Sequence, residues 1–228
     1  MDKNFRTRLV VGISMFVVAV VGMYILNSAP FKIMFALFAL VAAVELISFL
    51  RKGKSFENYL LVIVELGILF YGTLFIAQND VDHYWYIILG VPGYDVFAYL
   101  FGKKLGGKVF GKSRPFPKIS KNKTWEGTIL GLAMAIGLVT ILMAVRGAFA
   151  SDWLYLLCGP LALCGDLFES YLKRRFKVKD SNEIVIKNKL FKKLEFLVGG
   201  SDGHGGYLDR IDSTAFASAV LLVLTSLL

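Results

Sequence analysis

Residues 58–77 read N-Y-L-L-V-I-V-E-L-G-I-L-F-Y-G-T-L-F-I-A, with Glu65 the one charged side chain in the run. A helix needs about 20 apolar residues to cross the hydrocarbon core of a bilayer, and this run has that length. Comparable runs recur at about 9–26, 32–50, 84–101, 127–145, 153–170 and 214–228, the last being short. The pattern predicts an all-α membrane protein of about seven transmembrane helices, residues 1–228 forming a single polytopic domain. Composition agrees: 56% of residues are hydrophobic, mean hydropathy is +0.62 and only 19% are charged, against about 25% in soluble domains. The first run follows Lys3, Arg6 and Arg8 but lacks a clear small-residue cleavage site, and equally apolar segments follow it. It therefore reads as a retained helix and not as a cleaved signal.

Charge sets the orientation. With the N-terminus inside, 24 of the 26 Lys and Arg residues fall on the inner side, in the N-terminal segment, at Arg51–Lys54, and in two long loops, about 102–126 and 171–213. Only Lys32 and Arg146 fall outside, where Asp80, Asp82 and Asp152 lie. This is the positive-inside pattern, with the N-terminus in and the C-terminus out. The net charge of +9 thus points to membrane surfaces and not to nucleic acid. Cys158 and Cys164 lie six residues apart on different faces of one helix, so free buried thiols are expected, with no disulfide and no metal role. His83 stands alone at the outer boundary.

The first long loop is rich in Gly, Pro and Lys and reads as turns. Ser120 can cap a turn, and Thr124 followed by Glu126 can start a helix. Two readings stay open for it: a solvated basic loop resting on anionic lipid, or a phosphate-binding lid furnished with Lys and backbone N–H groups.

The second loop carries more. It opens G-D-L-F-E-S-Y-L-K-R-R-F-K-V-K-D over Gly165–Asp180 and closes G-H-G-G-Y-L-D-R-I-D-S over Gly203–Ser213. Asp166 is expected in the last turn or two of an apolar helix, where an unpaired carboxylate is costly. Glu169 and Lys173 share its face, and Lys173, Arg174 and Arg175 are expected just beyond the membrane. Asp209 and Asp212 share a face if a helix has begun there, and Gly205 and Gly206 beside His204 allow a ligand to approach backbone closely. Carboxylates of this kind, with water and substrate phosphates, are the usual ligands of magnesium, and neighbouring Lys and Arg neutralise phosphate oxygens. The chemistry this suggests is phosphoryl or nucleotidyl transfer; an ion-pair network bracing a loop beside the membrane is the bland alternative.

The same residues resemble the phosphatidate cytidylyltransferase (CDP-diacylglycerol synthase) family. Its signature is matched in order by Ser170, Lys173-Arg174, Lys179-Asp180, His204-Gly205-Gly206, Asp209-Arg210 and Asp212. The run I-S-K-N-K-T-W-E-G at 119–127 and Asp95 with Ala98, Tyr99 and Gly102 are similar to two further family motifs. One departure is the spacer at 181–203, much longer than the family's and without its Pro before the His. Within it, Ile186, Leu190, Leu194, Leu197 and Val198 recur at helical spacing among lysines, which predicts a basic amphipathic helix at about 183–198 on the inner leaflet.

The resemblance implies transfer of the cytidylyl group of CTP to phosphatidic acid, giving CDP-diacylglycerol and pyrophosphate, at an inner (cytoplasmic) site in a bacterial inner membrane. It assigns Asp166 and Asp209 to a metal, Mg²⁺ or in its place Mn²⁺, with no organic cofactor. Asp95, Asp180 and Asp212 support the site. Lys173, Arg174, Lys179, His204 and Arg210 handle phosphates, and Ser120, Lys123, Glu126, Ser170, Gly205 and Gly206 contribute to substrate binding. Membrane lipids are the surrounding partners, and a homodimer is left open. The rival readings are a CTP-dependent kinase of a polyprenol or phytol, and a transporter using the intramembrane carboxylates Glu45 and Glu65.

Overall fold

The computed structural model describes residues 28–79, 81–184 and 206–228, and among these it holds helices, turns and loops but no strand. The helices are α1 (Ser28–Phe49), α2 (Phe56–Gln78), α3 (Val81–Leu105), α4 (Trp125–Arg146), the short α5 (Phe149–Asp152), α6 (Cys158–Arg175) and α7 (Leu208–Leu227). Two 3₁₀ turns, Trp153–Leu157 and Ser181–Glu183, flank α6. Local signals explain the boundaries. The Ser55 hydroxyl accepts from Asn58 N–H at 3.3 Å to start α2, and the Thr124 hydroxyl accepts from Gly127 N–H at 3.1 Å to start α4. Gly147, at φ 65°, closes α4 in the left-handed region that favours glycine.

Four described helices are long and apolar enough to cross a membrane: α1 over Phe31–Phe49, α2, α4 and α7. The expected count of seven meets three departures. The run at 9–26 lies outside the described residues. The run at 84–101 forms most of α3, which has 25 residues but carries Asp82, Asp95, Lys103, Lys104 and an internal Pro92. The run at 153–170 divides into a 3₁₀ turn and the 18-residue α6, which ends in Lys173, Arg174 and Arg175. As a result Asp166 sits in the middle of α6 and not in its last turn or two. The three cations lie inside the last turn, where they favour the negative end of the helix dipole. Likewise α7 begins six residues before the expected 214, so Asp209 and Asp212 are helical.

The four apolar helices turn large side chains outward, with Leu40 65%, Ile63 62% and Ile141 62% exposed, as surfaces that face lipid do. Between the helices, small residues set the spacing. A Cβ on Gly127 would stand 2.5 Å from the Ala98 carbonyl oxygen, and one on Gly131 would stand 2.8 Å from Ala98 Cβ. The Gly127-x₃-Gly131 edge of α4 therefore rides on the Ala98-x₃-Gly102 edge of α3, a close approach of the small-xxx-small kind. Gly165 meets Ser213 in the same way, bringing α6 against α7.

Pairs of charged groups show which ends lie together. At one end Lys52 bonds Glu183 at 2.9 Å and the Lys177 carbonyl at 3.2 Å, and Arg175 pairs with Glu57 and with Asn58. At the other end Arg146 bonds Asp82, and Lys32 donates to the Ala77 carbonyl at 2.8 Å. The two cations expected on the outer side thus share an end, opposite the long loops. Cys158 is buried and Cys164 exposed, both as free thiols; the expected burial fails for Cys164 because it lies on the outward face of α6. All but the start of the expected amphipathic helix at 183–198 lies outside the described residues.

Replacing Gly131 with Leu should force α3 and α4 apart, because the obstructing atoms include Ala98 backbone. The expected loss is about 2–3 kcal/mol, read as a lower midpoint of thermal unfolding in detergent. Gly137→Ala, with nothing within 4 Å of the new Cβ, should raise stability by about 0.5 kcal/mol.

Candidate active site

The end that holds the two long loops gathers most of the carboxylates singled out from the sequence. Asp95 comes from α3, Asp166 and Glu169 from α6, and Asp209 and Asp212 from the first turns of α7. Close packing of α3 on α4 and of α6 on α7 brings these stretches together. Asp95, Asp166 and Asp212 lie within electrostatic reach of one another, and Glu169 lies within reach of Asp209 and Asp212. Two lysines face these five acids. Lys123 pairs with Asp166. Lys173 bridges Glu169 at 2.5 Å and Asp209 at 2.9 Å. Among these groups negative charge is in excess.

Lys123 approaches from the first loop, just before α4. Its ammonium lies 5.4 Å from the centre of the Tyr94 ring, in cation–π contact. Burial acts against its charge, but Asp166, then Tyr94 and Asp95, outweigh that, and its pKa lies above the ordinary lysine value. The amine is therefore an ammonium throughout the neutral range. Asp95, Ser120, Lys123 and Asp166 line one cavity of about 370 Å³, walled by Tyr94, Tyr99 and Thr128. Tyr94 carried no motif signal beyond standing next to Asp95.

Asp209 is held differently. Its Oδ1 accepts from Lys173, while its Oδ2 accepts the N–H groups of Gly206 at 2.8 Å and Ser181 at 3.2 Å. Ser170 donates to Asp166 Oδ1 at 3.4 Å. Arg174 is exposed and reaches the Ile119 carbonyl at 3.5 Å, tying the two loops together. Lys179 is exposed and its N–H donates to Glu183, while the Asp180 carbonyl accepts from Glu183 N–H. Arg210 lies over the Tyr207 ring at 5.4 Å. His204 and Gly205 lie outside the described residues.

Two residues stand apart from their expected roles. Glu126 does not line the cavity. Its Oε1 accepts the N–H groups of Gly107, Val109 and Phe110 at 2.9–3.0 Å. The backbone donors that a phosphate lid would offer at that turn are already engaged by this carboxylate. Gly206 does permit a close approach, but the groups that occupy the space of its missing Cβ are the side chains of Ser181 and Glu45.

The residues present fit a hard cation, although among the described residues no three His, Cys, Asp or Glu side chains converge as a ready-made cage. Magnesium is commonly held by one or two carboxylates, with phosphate oxygens and water completing its shell. Oxygen donors in excess over nearby ammonium groups suit that arrangement.

Residues 58–186, more than half of the chain, match the cytidylyltransferase family. The chain belongs to the cytidylyltransferase family. It is 34% identical to a phosphatidate cytidylyltransferase of Rickettsia bellii over 68% of this chain and 63% of that protein. It is 34% identical to one of Helicobacter pylori over 82% of this chain and 64% of that protein. At 29% identity, a phosphatidate cytidylyltransferase of Rickettsia felis aligns over 99% of this chain and 94% of its own length. The chain spans just under two thirds of the first two. The family match takes in Asp95, Lys123, Asp166 and Lys173 and ends before Asp209 and Asp212.

Removing Lys173 should be more damaging than removing its partner. Lys173→Met leaves Glu169, 1% exposed, and Asp209 as adjacent acids without their ammonium. Breaking such a pair from one side costs about 3 kcal/mol. Adding Glu169→Gln to Lys173→Met should recover part of that loss, measured as thermal unfolding midpoints of the two purified variants.

Proposed function

We propose that this chain transfers the cytidylyl group of CTP to phosphatidic acid, releasing pyrophosphate and leaving CDP-diacylglycerol in the membrane. The observation that carries the reading is the cluster of five carboxylates and two lysines at one end of the bundle, beside a cavity lined by Asp95, Lys123 and Asp166. It is supported by family membership and by the phosphatidate cytidylyltransferases to which the chain is similar. The reaction brings together two substrates rich in phosphate, one soluble and one embedded in lipid. An active centre at the end of a helical bundle, near headgroup depth, suits both.

In this reading the lipid phosphate oxygen attacks the α-phosphorus of CTP, and the bond to the β-phosphate oxygen breaks. Lys123 and Lys173 keep phosphate oxygens in place as fixed positive charges. Arg174, Lys179, His204 and Arg210 extend that role toward the aqueous side. Asp166, with Asp95 and Asp212 in its field, and Asp209, with Glu169 beside it, are the residues that would hold Mg²⁺ or Mn²⁺. Such an ion supplies charge neutralisation for the transferring group. We further propose seven transmembrane helices in a bacterial inner membrane, with the N-terminus and the site on the cytoplasmic side. This follows from the apolar runs and the distribution of Lys and Arg.

Asp209→Asn and Asp166→Asn should each lower turnover by about 10³-fold or more while leaving the chain folded in membranes, because a near-isosteric change removes a charge that a hard cation requires. Conversion of CTP and phosphatidate to CDP-lipid by the detergent-solubilised chain is the measurement. Near-normal activity of either variant with Mg²⁺ would overturn the assignment.

Chelation with EDTA should abolish turnover, and Mg²⁺ or Mn²⁺ should restore it. Label at the α-phosphate of CTP should appear in the lipid and label at the γ-phosphate in pyrophosphate. Lipid labelled from the γ-phosphate would make the chain a lipid kinase instead.

A further inference from the structure

Glu45 belongs to none of the motifs that identify the site and lies outside the stretch that matches the family. It sits in α1, 1% exposed, in a helix that is otherwise almost wholly apolar. Yet both of its oxygens are engaged, and among the described residues their partners come from the second loop and the start of α7. Oε1 accepts Tyr207 N–H at 3.0 Å. Oε2 accepts Leu208 N–H at 3.0 Å and the Ser181 hydroxyl at 2.7 Å. The N-cap residue of α7, Tyr207, makes no side-chain cap of its own, so the first N–H groups of this helix are satisfied from another helix. A carboxylate at a helix N-terminus also meets the positive end of the dipole.

Ser181 links this arrangement to the acid that the signature supplies. Its hydroxyl donates to Glu45 and its N–H to Asp209 Oδ2, which also accepts from Gly206 N–H. Ser181 directly follows Lys179-Asp180, the end of the first half of the signature. Gly206 to Asp212 is the described part of the second half. Both halves therefore converge on one carboxylate from α1, and Gly206 has no Cβ where Glu45 and Ser181 pass.

We propose that Glu45 is a positioning residue for the transfer reaction, holding the two separated halves of the signature in register so that Asp209 meets Lys173 and Glu169. The proposal rests on the functional reading above. Gln in its place can accept with one oxygen only and turns an NH₂ toward N–H donors, so the hold weakens although the size is kept.

The test compares wild type, Glu45→Gln, Ser181→Ala and the double variant as full chains in lipid nanodiscs. Steady-state CDP-lipid formation is measured beside hydrogen exchange of backbone amides. For Glu45→Gln we expect kcat to fall about 100-fold, since small displacements of reacting groups cost that much, with KM for CTP changed by less than about threefold. Amides in 206–212 should exchange at least about tenfold faster while α2 and α4 keep wild-type protection. Ser181→Ala should lower kcat about tenfold in the wild-type background and add nothing further to Glu45→Gln.

Unchanged exchange at 206–212 would overturn the proposal, as would kcat near wild type despite faster exchange there. If Glu45→Gln loses protection throughout the bundle, Ser181→Ala decides alone, and wild-type kcat for it overturns the role. A wild-type chain that forms no CDP-lipid would instead sink the functional reading, and exchange at 206–212 would then confirm or refute the hold that Glu45 exerts.

Discussion

A carboxylate between membrane helices must find donors, because neither lipid nor apolar side chains can solvate it. That requirement organises the end of this bundle that carries the acid cluster. Asp166 takes Lys123 from the first loop, Glu169 and Asp209 share Lys173, and Glu45 takes two backbone N–H groups and a hydroxyl. Each pairing draws a loop or a helix end onto the bundle, so the demand for compensation also folds the loops. Glu126, itself buried, does the same for the first loop, using one oxygen to gather three backbone N–H groups of the Gly107–Phe110 turn. Glu126 and Glu169 are each held through one oxygen while the other is buried without a hydrogen bond, and Glu65 departs further, its Oε2 being buried with no hydrogen-bond partner among the described residues.

Compensation operates only because the helices come close enough. Ala98, Gly127 and Gly131 let α3 and α4 approach at backbone distance, which brings Asp95 and Tyr94 of α3 to the same cavity as Lys123 at the foot of α4. Gly165 against Ser213 does the same for α6 and α7, each of which carries part of the acid cluster. The small residues contribute no chemistry themselves. They fix the separations over which a lysine can bridge two acids, and at these distances a shift of an ångström alters the electrostatics substantially.

Much of this could be read in the sequence. The apolar runs of α1, α2 and α4 stand out because lipid-facing and buried faces are both apolar. The separation of Lys and Arg between the two ends agrees with which charged residues meet. The signature residues identified the cluster, and Thr124 announced the start of α4. What could not be read is pairing across long separations. Spacing on one helix put Glu169 and Lys173 on the face of Asp166, and Lys173 does meet Glu169 one turn away, but it also bridges Asp209, thirty-six residues on. Asp166 instead finds Lys123, for which helical periodicity holds no information. Glu45 was visible as a lone acid in an apolar helix, but its partners lie 136 to 163 residues away, and two of the three are backbone groups that leave no trace in residue identity. The limits of α6 and α7 were misjudged for a related reason. Their charged turns look like loop when read for hydropathy, yet the charges are satisfied within the helices' own contacts.

The same contacts explain how a long spacer between the halves of the signature can coexist with an intact site. Ser181, at its beginning, and Gly206, just past its end, both donate to a single oxygen of Asp209. The two ends are therefore held side by side, whatever lies between them. The entropy of closing a loop grows only with the logarithm of its length, about 0.6 kcal/mol for each doubling. One hydrogen bond contributes about 1 kcal/mol net, and four described bonds from Glu45 and Asp209 to Ser181, Gly206, Tyr207 and Leu208 fasten these ends from the start of the loop through the first turn of α7, alongside the Ser181 hydroxyl. A longer spacer thus costs less than the contacts that close it provide. Its length can vary without disturbing Asp209, provided that Glu45 and Ser181 keep the junction closed.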